Sequence, residues 1–176
     1  MAHLMSNSLL LYIPKTGSDW LRRTCFETVK GGVTEVGDWH CDLAGAKRIL
    51  EGQQTTIPFT GAFVRHPFEW YRSAWIYYRV TGRFPRRDED PPVEHQEFGP
   101  FVENCLAAEP GGYVTALYRR FLGTQFDSVS FVGRQENLIS DLVRFLRWCG
   151  RTESPAYRQL AQTSGLTWFS GVKTRG

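Results

Sequence analysis

The run at residues 8–13, SLLLYI, constrains this chain more than any other feature. It is almost wholly apolar and lacks the in–out alternation of a half-buried strand. It therefore reads as a strand covered on both faces, the situation of a strand in a parallel sheet with helices on either side. The loop PKTGS follows at once. Ser18 or Asp19 then caps a helix expected to reach about Val29, where Gly31-Gly32 ends it. Val33–Val36 and Phe59–Val64 read as further strands, and residues 42–50 as a short helix closed by Gly52.

His66-Pro67 opens another helix, with proline at its tolerated first position. Phe68, Tyr71, Trp75 and Tyr78 form its core-facing stripe, and Ser73 lies opposite them. Residues 81–100 are charged, proline-containing and aperiodic, which predicts a mobile loop of the length used for lids and binding loops. Helices at 98–108 and Tyr113–Leu122, a strand at 128–132 and an amphipathic helix at 136–149 complete the pattern. Strands alternating with helices predict an α/β fold: three layers, with a central parallel sheet flanked by helices and right-handed crossovers.

With 176 residues, 41% of them hydrophobic, the chain suits a single domain spanning 1–176. A net charge of +3 is too small to indicate nucleic acid, but twelve of the 21 basic residues fall between Lys15 and Arg87, so an anion belongs in the first half. Cys25, Cys41, Cys105 and Cys149 include no C-x-x-C pair, which predicts neither a zinc site nor a disulfide framework. The opening MAHLMSNS lacks a signal peptide's order and reads as a frayed terminus that includes His3. No apolar run is long enough to span a bilayer. The expectation is a soluble, cytoplasmic protein.

A strand that ends in a tight loop and opens a helix aims backbone N–H groups at one point, where the helix dipole adds positive charge. Gly17 allows close approach, Lys15 adds a full charge, and Thr16 and Ser18 add hydroxyl donors. A Lys–phosphate contact near 4 Å is worth about 4 kcal/mol at an effective dielectric of 20. The G-x-x-x-x-G-K-[ST] spacing of triphosphate-binding loops is not met, and no strand-terminal Asp for magnesium follows, which argues against an ATP–magnesium enzyme. In GAFVRHPFEWYRSAW a second strand delivers Arg65 to its C-terminal end, with Ser73 eight residues later. Ligands of open α/β sheets bind outside the carboxyl ends of the strands, so Lys15 and Arg65 are expected to line one crevice.

The pair YIPKTGSDW and FVRHPFEWYRSAW resembles the two signature loops of sulfotransferases that use 3′-phosphoadenosine 5′-phosphosulfate. SFVGRQENLISDL, at 130–142, is similar to a third segment of the small bacterial and membrane-type branch. The resemblance implies a P-loop-like fold and transfer of a sulfuryl group to a hydroxyl or amine, with adenosine 3′,5′-bisphosphate as product and no metal. It implies that Lys15 counters charge on the bridging oxygen, and that Thr16, Gly17 and Ser18 cradle the 5′-phosphate. Arg65 and Ser73 would grip the 3′-phosphate.

Trp20 either packs near the nucleotide or joins the core. Arg134 either reaches the nucleotide or pairs with Glu136 or Asp141, and Lys173 and Arg175 either cover the 3′-phosphate or form a tail. His40 is the leading general base, with His95 and Glu35 as alternatives, while His66 shapes the turn after Arg65. Asp19 departs from the family, which commonly has a hydroxyl residue there. Either it points away from the ligand, or the chain is a catalytically inactive nucleotide-binding or regulatory protein. The acceptor, whether small molecule, carbohydrate or peptide, is not legible, and neither is a homo-oligomeric state. The 81–100 loop, beside the acceptor pocket, is the expected seat of specificity.

Overall fold

A computed structural model of the chain describes residues 2–5, 8–29, 32–38, 41–56, 59–81, 97–124 and 129–164. Five strands, Ala2–Met5 (β1), Ser8–Leu11 (β2), Val33–Val36 (β3), Phe59–Val64 (β4) and Phe131–Arg134 (β5), form one sheet in the order β3-β1-β2-β4-β5. The helices are Ser18–Thr28 (α1), Leu43–Gly52 (α2), Pro67–Thr81 (α3), Phe98–Ala107 (α4), Tyr113–Leu122 (α5), Leu138–Trp148 (α6) and Pro155–Thr163 (α7).

β2 is buried along its whole length, as its composition requires, and its side chains divide between two cores. Leu9 and Leu11 pack with α2, α3, α4 and α5, whereas Leu10 packs with α1, α6 and α7. The three-layer α/β arrangement follows from that alternation: each fully buried leucine contributes about 1.5–3 kcal/mol, and both faces of the strand are used. The alternation also explains two glycines. A Cβ at Gly61 would meet the Phe145 ring, and one at Gly133 the Phe63 ring, so β4 and β5 leave room for aromatics from α6 and from β4 itself.

The sheet is mixed, not the purely parallel sheet expected. β2, β4 and β5 run parallel, but β1 pairs antiparallel with both β2 and β3. The segment read as a frayed terminus is therefore an inner strand. His3 lies fully buried on it, with its Nδ1 2.8 Å from the Tyr12 hydroxyl. A hydrogen-bonded partner makes a buried imidazole tolerable, and its position is invisible to an apolar-run criterion.

Smaller differences have similar causes. β5 begins at Phe131, three residues later than the expected start, and Ser130 still bonds Thr60 through its backbone N–H and its hydroxyl oxygen. α7 was not anticipated, although Ser154 caps it through the Tyr157 N–H and Pro155 opens it. In α3 the buried residues are Trp70, Tyr71, Ala74 and Tyr78, while Phe68 is exposed against Phe98. The stripe is thus rotated from the expected one, because α4 and α5 cover the side of α3 that carries Trp70 and Tyr71.

None of Cys25, Cys41, Cys105 and Cys149 is in a disulfide. Among the described residues no helix is long and apolar enough to cross a membrane.

Candidate functional site

After β2 the connection runs through α1 on one face of the sheet, and after the adjacent β4 it runs through α3 on the other. Neighbouring parallel strands whose helices depart to opposite faces leave a crevice beyond their carboxyl ends, the switch point where α/β sheets bind ligands. Lys15 stands in the loop that follows β2, and Arg65 directly after β4.

The loop after β2 is tightly wound. Lys15 has φ 66 and Gly17 has φ 84, both left-handed. For glycine this conformation is free, whereas for a lysine it costs about 1–2 kcal/mol, a local strain that must be held by surrounding contacts. Three such contacts exist. The buried Thr16 hydroxyl donates to the Ile13 carbonyl at 2.8 Å, Trp70 Nε1 donates to the Pro14 carbonyl at 2.9 Å, and an Arg65 terminal nitrogen donates to the Lys15 carbonyl at 3.3 Å. The loop carbonyls are engaged by α3 and Arg65, and no side chain caps the N-terminus of α1. Gly17 lies against α6, where an added Cβ would come within 2.9 Å of Leu138 Cδ2.

Arg65 is fixed by a residue that sequence reasoning missed. The Tyr118 hydroxyl, from α5, accepts from the Arg65 N–H at 2.8 Å and donates to its carbonyl at 2.9 Å. The next N–H, that of His66, donates to Glu136 Oε1 at 2.8 Å. The guanidinium approaches Glu69 at 3.9 Å, and its Nε is buried with no acceptor among the described residues. A buried donor without a partner carries a desolvation cost of about 1–3 kcal/mol.

A cavity of ≈ 570 Å³ opens here, and Lys15, Arg65, Arg72, Ser73, Glu69 and Tyr77 are among its walls. The Lys15 ammonium sits 3.1 Å from the centre of the Tyr77 ring. Burial, aided by the charge of Arg65 and opposed by that of Asp19, brings the Lys15 pKa down to about 8. Among the described residues the cavity is lined by three cationic side chains against one carboxylate, Glu69, which also pairs with Arg72 at 3.7 Å. This lining suits an anion electrostatically, and adds the Ser73 hydroxyl and the Tyr77 ring.

Of the residues expected at the site, Lys15, Arg65 and Ser73 line this one cavity, and Gly17 and Ser18 form the loop end and the first residue of α1. Gly17, not Ser18 or Asp19, occupies the cap position of that helix. The Thr16 hydroxyl is turned inward to Ile13, so it shapes the loop instead of facing a ligand. Trp20 is exposed on α1 and belongs to neither the cavity nor the core. Asp19 is exposed too and outside the cavity lining, yet near enough that its charge acts on Lys15.

Arg134 is exposed at the end of β5. Asp141 accepts its backbone N–H at 2.8 Å but pairs with the Arg144 side chain, so the expected ion pairs of the Arg134 guanidinium are not formed among the described residues. Glu35 is on β3, two strands from β2, where it pairs with Arg22, and it is not among the residues lining this cavity. His40, His95, Lys173, Arg175 and residues 82–96 of the expected loop lie outside the described residues. No group of acidic, histidine or cysteine side chains able to hold a metal is present among the described residues.

Glu69, Arg72 and Tyr118 were not singled out by sequence. The first two lie on α3 either side of Ser73's face and could have been found by extending the helical spacing from Arg65, whereas Tyr118 is 53 residues away and leaves no local signal. No protein-family model, curated protein or solved structure matches this chain.

Proposed function

We propose that the protein is a sulfotransferase that uses 3′-phosphoadenosine 5′-phosphosulfate, with a P-loop-like fold around its parallel β2-β4-β5 core. The observation that carries this reading is the convergence of Lys15 with Arg65 and Ser73 on one cavity at the switch point. Two separate cationic grips, one on a loop that opens a helix and one beside a helix hydroxyl, suit a ligand with two anionic groups better than a single triphosphate.

On this reading the loop N–H groups and the uncapped N-terminus of α1 hold the 5′-phosphosulfate, and Arg65 with Ser73 holds the 3′-phosphate. Arg134, on β5, is the further nucleotide contact, and Asp19 and Trp20 flank the loop without entering the cavity. A bond forms from the acceptor oxygen or nitrogen to sulfur as the bond from sulfur to the bridging oxygen breaks. The acceptor proton goes to a base, for which His40 is the proposal. Lys15 counters the charge left on the phosphate.

The test is thermal unfolding with adenosine 3′,5′-bisphosphate. At a hundredfold excess over its dissociation constant a ligand stabilises by about 2.7 kcal/mol, a rise of roughly 5–10 °C for a chain of this size. Lys15→Ala and Arg65→Ala should each remove most of that rise. No rise at millimolar ligand in the wild type rejects the donor site.

A second reading, a nucleotide-binding protein without catalysis, is favoured by Asp19, whose carboxylate acts on Lys15, and by Glu69 beside Arg65. It predicts the same thermal rise, but no transfer of labelled sulfate to any component of a cell extract.

A further inference from the structure

The ammonium of Lys15 rests on an aromatic face, not on a carboxylate, at 3.1 Å from the ring centre. Tyr77 comes from α3 one turn after Ser73, is 39% exposed, and shares the cavity with Arg65 and Ser73. Among the described residues, the other charged groups around Lys15 are Asp19 from α1, Arg65 from the end of β4, and Glu69 and Arg72 from α3.

The two cationic grips are therefore held at rest in different ways. Arg65 has Glu69 as a counter-ion, which an arriving anion must displace against like charge. Lys15 has a ring, whose quadrupole attracts a cation without cancelling its charge. A cation so held stays inside the cavity and keeps its full attraction for an anion.

We propose that Tyr77 is a positioning residue for Lys15: its ring holds the ammonium inside the cavity as a charged group ready for transfer to an anion. The role rests on the proposed function for its ligand, but not for its measurement. A ring that stabilises the cation must favour the protonated lysine against the desolvation that lowers its pKa. Loss of the ring with bulk retained should lower that pKa further, and loss of the hydroxyl alone should not.

The experiment is an NMR titration of the full chain carrying labelled lysine, where only four lysines occur and Lys15→Arg assigns the signal. Wild type and Tyr77→Phe should titrate together near pH 8, and Tyr77→Leu about one unit lower, the scale of a partly desolvated cation–π contact. Affinity for adenosine 3′,5′-bisphosphate at pH 8 should follow the same order, unchanged in Tyr77→Phe and severalfold weaker in Tyr77→Leu. Titration of Tyr77→Leu with the wild type, or at higher pH, overturns the proposal, as does a shift in Tyr77→Phe equal to that in Tyr77→Leu. If the wild type binds no nucleotide, the proposed function falls and the titration alone decides the role of Tyr77.

Discussion

Lys15 combines a left-handed backbone with a pKa that burial brings down to about 8. An anion binds the protonated amine and raises its pKa, so binding takes up protons where the free protein has lost them. Affinity for adenosine 3′,5′-bisphosphate should fall about twofold between pH 7 and 8 and then by up to about tenfold per pH unit above the free-protein pKa. Calorimetry from pH 7 to 9.5 in buffers of differing ionisation heat measures both the fall and the proton uptake. Lys15→Arg, whose guanidinium does not titrate there, should flatten the profile. Gly17 is the second residue with a defined cost. Alanine at φ 84 must tolerate a left-handed conformation and approach Leu138, so Gly17→Ala should lose about 1–2 kcal/mol in urea unfolding, with weaker anion binding. The glycine and the lysine were both legible in PKTGS, whereas the inward turn of the Thr16 hydroxyl was not. The sequence shows a hydroxyl beside a lysine, and only the buried Ile13 carbonyl decides which way it points.

Among the elements, α3 organises the site. Its buried side anchors in the core through Trp70 and Tyr71, Trp70 also grips the Pro14 carbonyl, and its open side presents Glu69, Arg72, Ser73 and Tyr77 to the cavity. Proline at its start and the Arg65-to-Ser73 spacing made the helix and its ligand face readable. The rotated stripe was not, because nearly every position from Trp70 to Tyr78 bears a large side chain and periodicity cannot choose among aromatics. α5 packs Tyr113 against Trp70 and reaches Arg65 through Tyr118. Tyr118→Phe removes two hydrogen bonds to the Arg65 backbone at once and leaves its N–H without an acceptor. The expected loss is about 1–2 kcal/mol, or 3–6 °C in the melting temperature, with weaker nucleotide binding at constant Lys15 titration. Equal nucleotide affinity in Tyr118→Phe and wild type would show that the clamp serves stability only.

At the scale of the whole molecule, the mixed sheet introduces an acid sensitivity that a parallel sheet of leucines would lack. Burial lowers the His3 pKa from 6.5 to about 4, with Glu35 opposing that shift and Arg22 adding to it. Between those values the unfolded chain binds a proton that the folded chain refuses, so stability from this group is full above pH 6.5 and declines as pH falls toward 4. The loss is on the order of 3 kcal/mol at 1.36 kcal/mol per unit. Urea unfolding at pH 7, 5.5 and 4.5 should show the decline, and His3→Gln should reduce its slope.

The α/β class, the strand–loop–helix at Lys15 and the strand-end arginine with its helix serine were all set by local sequence, because they depend on runs, breakers and spacings within one or two elements. Other features were decided only in three dimensions: the insertion of β1 between β2 and β3, the pairing of Glu35 with Arg22, the Tyr118 clamp and the ring beneath Lys15. Each joins residues across the sheet or between helices far apart in the chain. Such contacts are chosen by packing and by satisfying buried polar groups, and neither leaves a periodic trace in the sequence.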